Sequence, residues 1–181
     1  PAAPGIGHSN HMPGHNYTKL GMWHEAAISM DSATRVELAY MNERLALPFE
    51  TWNFAHNRDY LCYIQEQLGM EAAARDGARS MIAAPRNPQP DDEEGEATFG
   101  YGLNALLRGL VKFERWDMIL EEGSIPWRDT PEDQNKKAWV ETLAYAGTGK
   151  TVDARASFEE FKSTLKELEK EYADLLPLFN K

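Results

Sequence analysis

The sequence predicts an all-α protein made of helical hairpins, and three observations predict it. A turn signature recurs four times: an apolar helix end, a Gly or polar residue, then a second helix opening on an apolar residue, in "YTKLGMWHEAA", "YIQEQLGMEAA", "LVKFERWDMIL" and "AYAGTGKTVDA". The turn positions are Gly21, Gly69, Glu114 and Gly149. Gly accepts the left-handed conformation that ends a helix, and a small residue soon after it lets two helices approach closely. Near the C-terminus, Phe158, Phe161, Leu165, Leu168, Tyr172, Leu175 and Phe179 recur at alternating spacings of 3 and 4, a heptad seam.

Eight helices follow in order. The first opens at Pro13, where the missing N–H costs nothing, and runs to Leu20. The second covers Trp23 to Leu45 and ends before Leu47-Pro48. The third spans Thr51 to Leu68 and the fourth Met70 to Ala84. "PRNPQPDDEEGEA", residues 85–97, joins three prolines to a run of acids and reads as a solvated loop between two pairs of hairpins. The fifth helix covers Thr98 to Glu114, and a short sixth runs from Trp116 to Glu122. Thr130, followed by Pro131 and Asp133, caps the seventh, which reaches Ala146. The heptad seam marks the eighth as a cap over the last hairpin, with pairing to a second copy as the alternative, so the chain is expected to be a monomer or a homodimer through this helix.

"YTKLGMWHEAAISMDSA" resembles the core of a tetratricopeptide repeat, and "LGMEAAARDGARSMIAAPRNP" resembles it again, including the closing Pro. The third and fourth units depart from it: Glu114 replaces the turn Gly, and "GSIPW" cuts the sixth helix short. The intervals from Gly21 to Gly69, Glu114 and Gly149 are 48, 45 and 35 residues, of which only the last is near the usual ~34. "HMPGHNYTKLGMW" with the later "AHNRDYL" is similar to larger uncharacterised tetratricopeptide proteins that carry a His-Met-Pro-x-His run and a second His where this chain has Asp59. The resemblance implies one right-handed α-solenoid over residues 1–181, with about four hairpins whose first helices line a concave groove that captures a protein or peptide.

Composition narrows the function classes. A formal charge of −10 disfavours nucleic acid, whose phosphates demand clustered Lys and Arg. No apolar run approaches the ~20 residues that span a bilayer. The chain reads as soluble, and its start at Pro1 suggests processing or a fragment of a longer protein, leaving cytoplasm and export both open. Cys62 stands alone in "DYLCYIQEQLG" and reads as a small buried hydrophobe. "AGTGKT" looks like the end of a phosphate loop, but Ala144 stands where that motif needs its first Gly, so it reads as a helix turn. No residue is singled out as catalytic.

Two sets of residues carry the functional expectation. By phase with the repeat, Tyr63, Tyr101, Asn104, Arg108 and Trp139 share the groove, and their mix of aromatic, guanidinium and amide groups suits a peptide or a small polar ligand. The alternative is a metal-binding protein or metal-dependent enzyme. His11 and His15 flank the entrance of the first helix, His56 lies on the neighbouring first helix with Asp59 on the same face, and imidazoles suit zinc or copper. His8, ahead of the first helix, and His24, opposite in phase, are expected to take no part.

Overall fold

The computed structural model describes residues 5–88 and 97–173. Among them are eight α-helices and no strand: α1 (Gly7–Lys19), α2 (Trp23–Arg44), α3 (Trp52–Gln67), α4 (Glu71–Ile82), α5 (Ala97–Lys112), α6 (Trp116–Leu120), α7 (Pro131–Gly147) and α8 (Thr151–Glu171). A single 3-10 turn, Pro48–Glu50, links α2 to α3. Most of the acidic loop, and Leu175 and Phe179 of the heptad seam, lie outside the described residues.

The four turns share one backbone solution. Gly21, Gly69, Glu114 and Gly149 all have left-handed backbone, with φ of 72, 73, 52 and 76°. Each is followed by the same long hydrogen bond back into the preceding helix: Met22 N to Tyr17 O, Met70 N to Gln65 O, Arg115 N to Leu110 O and Lys150 N to Tyr145 O, at 2.8–2.9 Å. A second bond, from the turn residue itself to the carbonyl three residues back, pairs with it each time, Gly21 N to Thr18 O at 3.1 Å being the first. This is the Schellman closure, which satisfies the last carbonyls of one helix and aims the chain into the next. Glu114 adopts the strained left-handed conformation because its neighbours impose the same closure.

The chain divides into two compact units, 1–109 and 110–181. In the first, α1 packs on α2, α2 on α3 and α3 on α4, and α1 also reaches α3. Its core includes Ala26, Met30, Leu61 and Ile64, flanked by Tyr17, Trp23, Tyr60 and Tyr63. Gly14 lets α1 close on α2, since a Cβ there would stand 2.9 Å from the Met30 methyl. In the second unit α7 packs on α6 and α8. Asp133, fully buried, accepts from Arg128 Nε and Nη2 at 2.9 Å, while Thr130 caps α7 by accepting from Asp133 N at 3.3 Å. Phe158, Leu165 and Tyr172 of the seam stay 38–45% exposed. No helix among the described residues is long and apolar enough to cross a membrane.

The first helix corrects the expected start at Pro13. It begins at Gly7, and Pro13 lies inside it. Pro13 removes only the bond to the Ser9 carbonyl, and the next carbonyl, Asn10, accepts from Ser29 Oγ of α2. Ser32 Oγ binds Asn10 Oδ1 at 3.2 Å as well, so α2 holds the interrupted turn in place.

Candidate metal centre

The longer α1 changes the geometry of its histidines. His8, His11 and His15 stand at helical spacings of 3 and 4, one stripe of a single helix. His8, expected to stand ahead of the first helix, lies within its first turn. Thr18 continues the stripe, and its hydroxyl meets the Tyr60 hydroxyl of α3 at 3.1 Å. The stripe therefore faces α3, which carries His56.

The rings of His11, His15 and His56 close into a triangle, with centroids 5.1, 5.3 and 5.5 Å apart. One ring nitrogen of each lies within 4.8 Å of the others. His15 Nε2 and His56 Nε2 face each other at 3.4 Å. Two ligand nitrogens at a tetrahedral metal, each ~2.0–2.1 Å from the ion, stand ~3.3–3.4 Å apart, the same separation. Two neutral imidazole nitrogens at this distance need either a proton or a cation between their lone pairs.

Aromatic neighbours fix two of the rings. Trp52, four residues before His56, stacks on it at 4.6 Å and 13°, and the edge of Tyr60 meets His15 at 4.3 Å. Neither was among the expected site residues, although both lie one helical turn from His56, a spacing visible in the sequence. His11 is only 2% exposed, and its Nδ1 is buried with no hydrogen-bond partner.

Burial and mutual proximity keep the imidazoles neutral. His11 is pushed down to about 4, chiefly by loss of water and then by His56, His15 and His8. Burial also lowers His15, with Lys19 and His8 adding to it. In His56 burial and His15 outweigh the opposite pull of Asp59. Neutral nitrogen is the form that ligates a metal.

The other expected ligand sits elsewhere. Asp59 Oδ1 accepts from Arg108 Nη2 of α5 at 3.0 Å, and Glu66, 1% exposed, takes Arg108 Nε at 2.9 and 3.0 Å. Asp59 thus influences His56 through its charge and lies outside the imidazole triangle. The same pairing engages Arg108, one of the expected groove residues. Tyr63 is half-buried against Trp23 and Tyr60, Tyr101 is half-buried and Asn104 exposed on α5, and Trp139, 39% exposed, belongs to the second unit. His24 is exposed on α2, away from α1's stripe. Cys62 is fully buried and its thiol is pushed up to about 12, chiefly by burial. Comparison with protein-family models, with curated proteins and with solved structures gave no match.

Proposed function

We propose that the chain holds a divalent transition-metal ion, zinc or copper by ligand chemistry, between α1 and α3 through His11, His15 and His56. The observation that carries this reading is the convergence of three neutral imidazole nitrogens, two of them at the spacing of adjacent tetrahedral ligands. The surroundings fit an ion: a buried unpaired nitrogen on His11, stacked and edge-packed rings that fix orientation, and the Asp59 carboxylate as an outer negative charge. The tag-free protein, stripped with chelator and titrated with zinc or copper in a calorimeter, binds one ion per chain. His15→Ala and His56→Ala each remove that binding; a wild type that takes up no ion contradicts the reading.

The second reading is a tetratricopeptide-like scaffold of about four hairpins that captures a protein or peptide. Four identical helix-to-helix closures favour the repeat, and Tyr101, Asn104 and Arg108 at spacings 3 and 4 form one stripe of α5. With Arg108 already committed to Glu66 and Asp59, this stripe offers a partner less charge than the sequence suggests. A peptide-library screen against the wild type and Asn104→Ala tests it; peptides that bind both equally count against the groove.

A further inference from the structure

A metal held by three histidines has a fourth position, and what fills it decides the use of the site. An open position holds water or substrate and makes a reactive centre, whereas a fourth protein ligand closes the sphere and makes a holding site. Asp59, one turn from His56 on α3, is tied to Arg108. One further imidazole remains beside the triangle.

We infer that His8 supplies the fourth ligand, closing a four-histidine site that stores or stabilises with the ion and does not present it to a substrate. The inference rests on the metal reading of His11, His15 and His56. His8 lies three residues before His11 and seven before His15, on the stripe that faces α3. Its ring already packs edge-on against His11, with centroids 4.7 Å apart. It is exposed and in the first turn of α1, so its side-chain torsions turn without disturbing the core. The backbone beneath it is well placed: Gly7 is buried against the Glu37 carboxylate, where a Cβ would collide, so the start of α1 is seated on α2.

Four chains are compared in calorimetric zinc titrations and in visible spectra with cobalt(II): wild type, His8→Ala, His24→Ala and His15→Ala. The inference expects one zinc in the wild type and in His24→Ala with equal affinity. His8→Ala still binds one zinc, at least about tenfold more weakly, and its cobalt spectrum shifts as water replaces a nitrogen ligand. His8→Ala matching the wild type in both affinity and spectrum overturns the inference while leaving the three-histidine site standing. A wild type that binds no ion, or binding undiminished in His15→Ala, overturns the metal reading itself and this inference with it.

Discussion

The two flanks of α3 bury polar groups in opposite ways. Toward α5, Glu66 and Asp59 are both paired with Arg108. Toward α1, three imidazoles converge, with His15 Nε2 and His56 Nε2 3.4 Å apart, and His11 keeps a buried Nδ1 without a hydrogen-bond partner. An ion cluster explains itself as structure, while an unpaired polar atom in a native interior calls for an explanation, a bound ion or water among them. On the metal reading, the same helix carries a structural cluster on one flank and a receptive site on the other.

The largest effect belongs to the Arg108 flank. Glu66→Ala leaves Arg108 without its buried partner, and because the Arg108 side chain is 34% exposed, the loss falls somewhat below that of a fully buried pair, about 2–3 kcal/mol. Urea denaturation reads this directly, and zinc affinity should be unchanged; a variant that loses both ties the flanks together. The next effect belongs to the receptive flank. Zinc at a hundredfold its Kd should raise the wild type's stability by about 2.7 kcal/mol, and His56→Ala should cancel that gain.

Acidification should act on the metal-free protein through the histidine flank. His11 titrates near 6.5 when unfolded and at about 4 when folded, so between those values the unfolded chain binds more protons. Its contribution is therefore fully present above pH 6.5 and is lost as pH falls toward 4, whereas Arg108 keeps its charge throughout. Urea midpoints from pH 7.5 to 4.5 should fall in the wild type and fall less steeply in His11→Asn. Equal slopes would show that the histidine flank does not govern acid stability.

The smallest effect tests ring orientation. Trp52 is 60% exposed, so Trp52→Ala should cost no more than about 1 kcal/mol in stability. Zinc affinity should drop several-fold as His56 loses its stacking partner, and calorimetry separates the two readouts.

Hairpin geometry was legible because it is local. The turn residue and the apolar residues around it specify the Schellman closure within six residues, and even Glu114, which lacks the Gly advantage, was placed by its sequence neighbours. Pro13 misled because its preference for a first turn is a local rule, overridden here by Ser29 and Ser32 holding the Asn10 backbone and side chain from another helix. Phase along the helices correctly brought His15 and His56 to one interface. Phase alone did not tell which neighbour each flank of α3 meets, so Asp59 was grouped with the imidazoles when its partner is Arg108, 49 residues away in sequence. The same local rule placed His8 ahead of the helix, whereas it lies in the first turn of α1.

X-ray absorption at the metal edge of the zinc-loaded, tag-free chain tests the central claim most directly. A first shell made of nitrogen at ~2.0–2.1 Å with the multiple-scattering signature of at least three imidazoles is expected, with no zinc shell of this kind retained by His56→Ala loaded in the same way. A shell dominated by oxygen, or one unchanged in His56→Ala, would contradict it.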